Sequence, residues 1–308
     1  MKNVNIINQF MVLFLVMGIG YYGRKRNIIT SEMNKGMSQL LLRITLPFMI
    51  IVSFDYKFSP ELMSNIVKIL IYSLIIHIFL IPLSNMFYNK VPKNKDKKDI
   101  LRFVTVFSNT GFIGYPVLAS IYGKVGVLYA SIFNIPFNVF MWTFGIMLFS
   151  GDKNDKSLKK VLANPGIIAV IIGTILFIFS IKIPYPIQKT LEIVGSITTP
   201  ISMIIVGSML AEVKVKDVFA EKSIYYASVL RLLVIPFFIF LILKLMKVDS
   251  LLINICVIVE AMPAAVVCSI FAESYNKNPK FASQSVFITT LLSVITIPIV
   301  IMFLSNFS

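Results

Sequence analysis

The sequence predicts an all-α integral membrane protein with ten transmembrane helices in two inverted five-helix repeats. The first observation is composition: 57% of the 308 residues are hydrophobic and only 14% are charged, whereas soluble domains carry about 25% charged residues. The second is a series of ten apolar stretches separated by short polar loops. The third is a pair of interruptions by proline and small residues, one in each half of the chain.

The apolar stretches have lengths that suit the hydrocarbon core of a membrane, which is about 30 Å thick. Because several of the loops contain only a few residues, neighbouring helices are expected to be antiparallel and adjacent. The stretches cover approximately residues 5–23, 36–54, 64–88, 101–122, 125–150, 165–181, 187–211, 222–246, 250–273 and 281–305.

The lysine and arginine residues are distributed unevenly among the loops, and this predicts the orientation. They concentrate between stretches 1 and 2, between stretches 3 and 4, and after stretches 5, 7 and 9. The positive-inside rule places these loops in the cytoplasm and both termini outside the cytoplasm, in a multi-pass protein of the cell membrane. The net charge of +15 therefore orients the chain and does not indicate nucleic-acid binding, which needs a soluble basic face.

Ten spans divide into a first repeat over 1–150, a cytoplasmic connecting loop over 151–164 and a second repeat over 165–308. An odd number of spans in each half gives the halves opposite topology, so the repeat is predicted to be inverted. Weak internal similarity supports the division. Ile-Thr-Leu-Pro at 44–47 resembles Ile-Thr-Thr-Pro at 197–200, and each is followed by Met-Ile-Ile-Val.

The first interruption lies in stretch 4, where Ser-Asn-Thr-Gly is followed by Gly-Tyr-Pro over residues 108–116. Glycine and proline disfavour a helix, and Pro116 also lacks a backbone donor. Within a membrane, backbone groups freed in this way must be buried in protein or face a water-filled cavity. Asn109 and Thr110 add polar side chains at the same place.

The second interruption lies in stretch 9, over residues 257–265, and contains Met262 and Pro263. Interrupted spans at corresponding places in two halves are the best sequence indication of the binding site of a transporter near the membrane midplane. We therefore predict a transporter whose site is formed where the two interruptions meet.

Glu260 is a carboxyl group in an apolar span, where a charge needs a partner or a function. One interpretation is a proton-binding carboxylate that couples transport to protons. The other is a structural acid that is paired with Arg43 or Arg231 or that satisfies polar groups of the broken helix. Each arginine in turn could bind a carboxylate substrate through a bidentate contact or extend its charged end to the membrane surface.

The remaining polar residues in the spans carry weaker signals. Asn134 and Asn138 lie four residues apart on one helix face, where they form either interhelical hydrogen bonds or substrate contacts. His77, the single histidine, is interpreted as a packing residue rather than a ligand or proton carrier. Cys256 and Cys268 would lie about 18 Å apart in one helix, too far for a disulfide. No metal site and no cofactor is expected.

Several motifs together resemble those of the auxin efflux carrier family, which includes bacterial malate permease-like members. Ser-Asn-Thr-Gly-Phe-Ile-Gly-Tyr-Pro-Val at 108–117 is similar to the helix 4 signature of that family. The other motifs that carry the resemblance are Asn-Pro-Gly-Ile-Ile at 164–168, Thr-Pro-Ile-Ser-Met-Ile-Ile-Val-Gly-Ser-Met-Leu-Ala at 199–211, Ala-Met-Pro-Ala-Ala at 261–265 and Ala-Glu-Ser-Tyr at 272–275.

The resemblance implies that helices 4 and 9 are broken and cross at their prolines, as in bile-acid symporters and sodium/proton antiporters. It also implies a homodimer. The long cytoplasmic loop of the plant carriers is absent here, and the resemblance assigns no role to Glu260. Some substrate-binding residues are implied by the resemblance, and others are proposed from the interruptions themselves. Together they are Asn109, Thr110, Pro116, Asn134, Asn138, Met262 and Pro263.

The sequence therefore predicts a secondary active transporter of a small organic anion, a mono- or dicarboxylate such as malate. Transport is expected to be driven by protons or by the membrane potential, with alternating access around the crossover. The alternative is a cation-coupled antiporter or sodium symporter of the same crossover fold. An enzyme is not expected, because no cluster of His, Asp or Cys near one membrane surface is visible.

Overall fold

The computed structural model describes residues 2–88, 94–150, 161–212 and 221–307. These residues are predominantly helical, and no β-strand occurs among them. The first ten residues of the predicted connecting loop, 151–160, lie outside the described residues.

The α-helices of the first half of the chain are numbered α1 to α7. They are α1 Lys2–Lys25, α2 Ser31–Leu40, α3 Leu46–Ser53, α4 Pro60–Phe87, α5 Lys95–Val106, α6 Tyr115–Phe140 and α7 Ile146–Ser150.

The α-helices of the second half follow in chain order. They are α8 Pro165–Ile178, α9 Tyr185–Ser196, α10 Thr198–Glu212, α11 Lys222–Val229, α12 Ile235–Leu245, α13 Ser250–Glu260, α14 Val267–Ser274 and α15 Pro279–Ser305.

Four short π-helical turns lie directly beside α-helices within the described residues. Such turns widen a helix by one residue and are frequent at functional sites. The four turns are Leu41–Thr45, Thr110–Gly114, Met141–Gly145 and Leu230–Val234.

Six helical segments of the described chain are long and apolar enough to cross a membrane. This confirms the prediction of an all-helical membrane protein, whereas the arrangement of ten spans in inverted repeats stays a prediction. The segments are Ser31–Ser53, Pro60–Phe87, Thr110–Ser150, Tyr185–Ala211, Lys222–Leu245 and Pro279–Ser305, and shorter apolar helices lie at Pro165–Ile178 and Ser250–Glu260.

Predicted spans 4 and 5 are divided, as expected, at Gly123 inside α6, where the backbone leaves the helical conformation with a φ of +58° that favours glycine. One detail differs from the sequence prediction. Cys256 and Cys268 lie in separate helices, α13 and α14, because the chain leaves the helical conformation between them. Both thiols are buried and free.

The chain forms two compact units, and each combines segments from both predicted repeats. The first comprises Met1–Leu70, Gly111–Ile135 and Lys159–Glu212. The second comprises Ile71–Thr110, Pro136–Leu158 and Val213–Ser308.

In the first unit, α1 and α10 are in backbone contact through glycines. A Cβ atom added to Gly207 would lie 1.8 Å from the Met17 carbonyl oxygen, and one added to Gly20 would lie 2.1 Å from that of Ile204. Small residues allow such close approach of helices in a membrane. This contact joins residues near the two ends of the unit's sequence.

The second unit has a core rich in phenylalanine. The ring of Phe103 lies 4.7 Å from that of Phe107 and 5.3 Å from that of Phe149, centroid to centroid. Phe271, from α14, packs against both Phe103 and Phe149. These rings surround the C-terminal end of α5, where Phe103 and Phe107 are fully buried.

Candidate functional site

The first interruption in the second unit begins where α5 ends. The helix stops at Val106, and Phe107 is extended, with φ −108° and ψ 114°. The chain becomes helical again only in the π-turn that starts at Thr110. The residues between them, Ser108 and Asn109, are buried.

The second interruption follows α13, which ends at Glu260. The next helix, α14, begins at Val267, so residues 261–266 separate the two. Pro263 lies within this segment, where its ring and its missing N–H prevent the helix from continuing.

The two interruptions pair with each other as short antiparallel segments. The Asn109 N–H donates to the Pro263 carbonyl at 2.7 Å, and the Ala265 N–H donates to the Phe107 carbonyl at 3.0 Å. The Ala264 N–H donates to the Thr289 hydroxyl of α15 at 3.2 Å. The paired segments thus supply the backbone hydrogen bonds that a membrane interior demands.

Arg231 lies beside this pairing, in the π-turn Leu230–Val234, and is fully buried. Its Nη1 donates to the carbonyls of Thr105 at 2.9 Å and Val106 at 3.3 Å. Its Nε donates to the carbonyl of Met262 at 3.1 Å. The guanidinium therefore binds carbonyls at the C-terminal ends of both interrupted helices, where the helix dipole is negative.

Glu260 balances the charge of Arg231. One carboxylate oxygen, Oε2, lies 2.8 Å from Arg231 Nη1, and both side chains are fully buried. Arg231 does not extend to the membrane surface, so that interpretation of it is wrong. Arg43 is exposed in the π-turn Leu41–Thr45, and Arg231 is therefore the partner of the carboxylate.

His77 of α4 completes a buried cluster that the sequence prediction missed. Its Nε2 lies 3.9 Å from Glu260 Oε1, and its Nδ1 lies 2.7 Å from the Ser73 carbonyl oxygen. The ring stacks on Phe140 at 5.8 Å and packs against Phe107 and Phe137. The predicted packing role accounts for these ring contacts but not for the contact with Glu260.

The predicted site residues are divided between the two units. Asn109, Thr110, Met262 and Pro263 are buried together at the paired segments of the second unit. The Thr110 hydroxyl lies 3.1 Å from that of Ser108. Glu260 is adjacent through Arg231. The binding role of these residues stays a prediction.

The other three predicted residues are on the helical segment that follows the first interruption. Pro116 and Asn134 lie in the first unit, where Asn134 Nδ2 donates to the Tyr115 hydroxyl at 2.9 Å. Asn138 lies in the second unit and is half-buried. The structure therefore does not gather the seven predicted binding residues into one described unit.

Comparison with known families decides the class of protein. The model of the family described as membrane transport protein matches residues 5–301. The chain belongs to this family. The resemblance to auxin efflux carriers is thereby confirmed, and membrane transport is the activity class of the protein.

Individual relatives support this assignment over nearly the whole chain. An "Uncharacterized transporter" of Methanocaldococcus jannaschii is 28% identical over 294 residues, which cover 93% of this chain and 94% of the relative. The "Uncharacterized transporter YfdV" of Escherichia coli K12 is 22% identical over 305 residues, covering 95% of this chain and 96% of the relative.

A third relative carries a substrate in its name. The "Putative malonate transporter" of Rhizobium meliloti is 26% identical over 140 residues, which cover 45% of this chain and 43% of the relative. All three relatives are named as transporters.

Proposed function

We propose that this membrane transport protein is a secondary active transporter of a small organic anion, namely a mono- or dicarboxylate of the size of malate or malonate. It works by alternating access around the paired interruptions, without catalytic chemistry. The observation that carries the proposal is the antiparallel pairing of the two interrupted segments, in which Asn109 donates its backbone N–H to the carbonyl of Pro263.

Transporters with discontinuous helices bind substrate at such places, because helix ends provide polar groups inside the membrane. In this site, the side chains of Asn109 and Thr110 supply neutral hydrogen-bonding groups. A carboxylate fits these groups better than an apolar substrate, since unused polar groups buried in a dry site are costly. The name of the Rhizobium meliloti relative agrees with this substrate class.

The balance of charge also favours reversible anion binding. Arg231 is a buried cation beside the interruptions, and Glu260 neutralises it at 2.8 Å. An unpaired buried cation would hold an anion strongly and slow its release. A paired cation leaves the site close to neutral, so that neutral hydrogen bonds and the positive N-terminal ends of the helical segments that follow the interruptions provide a moderate attraction for an anion.

Coupling to protons or to the membrane potential is part of the proposal, and the buried cluster that contains Glu260 is the proton site. The proposal includes ten spans in two inverted repeats in the cell membrane, with both termini outside the cytoplasm. In this orientation the loops rich in lysine and arginine lie in the cytoplasm. The pairing of the protein into a homodimer rests on the family resemblance.

The second candidate is a cation-coupled antiporter or sodium symporter of the same fold. It receives its support from Glu260, an acidic side chain at the second interruption. The ion pair with Arg231 argues against it, because a bound cation would have to displace the guanidinium from the carboxylate. Sodium is therefore included in the binding experiment below.

The proposal is tested by thermal unfolding of the purified protein in detergent with malonate, malate or sodium chloride. A ligand that binds only the folded protein stabilises it by about 2.7 kcal/mol at a concentration of 100 times its Kd. We expect the apparent melting temperature to rise with a dicarboxylate and to be unchanged by sodium at equal ionic strength. A rise with sodium alone would favour the second candidate.

Asn109→Ala is the matching variant, because it removes the side-chain amide and keeps the backbone N–H that pairs with Pro263. The dicarboxylate should then no longer raise the melting temperature. Asn254→Ala is the control, since Asn254 is also buried but lies six residues before Glu260, where α13 ends. Equal ligand responses of the two variants would contradict the proposed site.

A further inference from the structure

We propose that His77 is the residue that takes up and releases the coupled proton, while Glu260 stays ionised as the partner of Arg231. This inference rests on the proposed function for the role of the proton in transport. The proton-binding property itself is independent of any substrate and is tested separately below.

Glu260 is poorly suited to carry the proton because its charge is already committed. Its Oε2 lies 2.8 Å from Arg231 Nη1, and neither side chain reaches solvent. Protonation of the carboxylate would leave a buried guanidinium without a counter-charge, which is strongly unfavourable. Arg231 cannot turn away to water without giving up its bonds to the carbonyls of Thr105 and Met262.

His77 has the geometry that Glu260 lacks. Its Nδ1 faces the Ser73 carbonyl at 2.7 Å, and a carbonyl only accepts hydrogen bonds, so the proton of the neutral ring belongs on Nδ1. Nε2 is then the basic nitrogen, and it faces Glu260 Oε1 at 3.9 Å. A proton added to Nε2 would therefore form an ion pair with the carboxylate at once.

The groups around His77 come from several elements. Glu260 on α13 and Arg231 in the π-turn are the charged groups that act on the ring. Phe107, which follows α5, and Phe137 and Phe140 of α6 surround it with aromatic rings. The Cys256 thiol, one turn before Glu260, interacts electrostatically with the same carboxylate.

Protonation changes the charge of this cluster and so links the proton to an anion. With neutral His77, the charges of Arg231 and Glu260 cancel. When a proton from water adds to Nε2, the cluster carries a charge of +1. When Nε2 releases the proton, the proton returns to water and no other bond changes. An anion beside the interruptions is attracted to the +1 state, and by linkage the bound anion raises proton affinity by the same factor.

The sequence offers a direct measurement, because His77 is the only histidine in the chain. Full-length protein with ¹⁵N- and ¹³C-labelled histidine in lipid nanodiscs gives one imidazole signal, free of overlap. We expect the signal of the neutral ring to be replaced by that of the charged ring as the pH is lowered, within the pH range in which the protein stays folded. A signal that stays that of the neutral ring throughout this range would overturn the proposal.

Glu260→Gln tests the partner. Because an opposite charge within about 4–6 Å shifts a titration by roughly 1–3 pH units, the midpoint of the His77 titration should move to lower pH by that amount. Glu273→Gln, which removes an exposed carboxyl on α14, should leave the midpoint unchanged. Equal midpoints in wild type and both variants would contradict a role of Glu260 in holding the proton.

The link to transport is tested by adding malonate to the labelled wild-type protein. If malonate stabilises the protein, it should also move the midpoint of the His77 titration to higher pH. The shift is one pH unit for each factor of ten by which bound malonate raises the proton affinity. Stabilisation without any shift would refute the coupling. If no dicarboxylate binds at all, the proposed function fails, whereas the pH titration of His77 still decides whether this residue binds a proton.

Discussion

Arg231 combines two tasks in one buried side chain. It neutralises Glu260, and it donates hydrogen bonds to carbonyls at the ends of α5 and α13. Guanidinium is well suited to this because it presents five donors in a fixed plane and remains charged when buried. A lysine would offer a single nitrogen and could not reach both helix ends in the same way.

At the scale of single residues, we predict that the protein loses more stability when one partner of the ion pair is removed than when both are removed. Glu260→Gln leaves a buried charge unbalanced, and breaking a buried pair in this way costs about 3–5 kcal/mol. The double variant Glu260→Gln with Arg231→Met removes both charges. It should unfold at a higher temperature than Glu260→Gln alone, as measured by thermal unfolding in detergent.

Glu273→Gln provides the control for a carboxyl that is exposed, and its melting temperature should match that of the wild type. A double variant as unstable as the sum of its single variants would mean that the two charges act independently, against the geometry of the pair.

At the scale of elements, the paired interruptions depend on a third helix. The Ala264 N–H lies inside the protein and donates to the Thr289 hydroxyl of α15. Thr289 and its neighbour Thr290 are both buried, but the Thr290 hydroxyl donates within its own helix, to the carbonyl of Val286. Adjacent threonines of α15 therefore differ in whether they support the interruption.

We predict that Thr289→Val destabilises the protein by about 1–3 kcal/mol, because it leaves the buried N–H of Ala264 without an acceptor. Thr290→Val should change stability by a few tenths of that amount, since the hydroxyl it loses only bonds to its own helix. Thermal unfolding of the two variants compares them directly. A larger loss of stability in Thr290→Val than in Thr289→Val would show that the Ala264 N–H does not rely on the Thr289 hydroxyl.

The places at which the helices break were predictable, whereas the groups that stabilise them were not. Proline and glycine act locally, so the sequence alone indicated interruptions near 108–116 and 257–265. The choice of Arg231 over Arg43 depends on tertiary packing, since each is a single charge in an apolar span. His77 escaped prediction for the same reason, because nothing near it in sequence reveals that it faces Glu260.

The π-turns illustrate the same limit. An extra residue in a helical turn arises where side-chain packing favours it, and no local motif in Leu230–Val234 announces one. This turn nevertheless carries Arg231. Local preference thus predicts where helices begin and end better than it predicts how their faces are rotated toward one another.

At the scale of the whole molecule, the distribution of lysine and arginine fixes the expected orientation. The loop between α1 and α2 should lie in the cytoplasm, and the loop between α8 and α9 should lie outside. Each loop contains an exposed isoleucine, Ile28 and Ile181. Cysteine substitutions at these positions preserve all of the charges that determine the topology.

We predict that a membrane-impermeant maleimide added to intact cells labels Ile181→Cys and not Ile28→Cys. The background for both is a variant without Cys256 and Cys268. Permeabilised cells serve as the control, since both positions should then react. The reverse pattern in intact cells would place both termini in the cytoplasm and would invert the proposed topology.

The glycine contact between α1 and α10 has a consequence for the synthesis of the chain. Gly20 and Gly207 each lie against the backbone of the opposite helix, yet about 190 residues separate the two, which a ribosome adds in on the order of 10–40 s. During that time α1 is already in the membrane without its partner. One of the final neighbours of α1 is therefore made long after α1 itself, and a chain that stalls between the two leaves the glycine face of α1 uncovered.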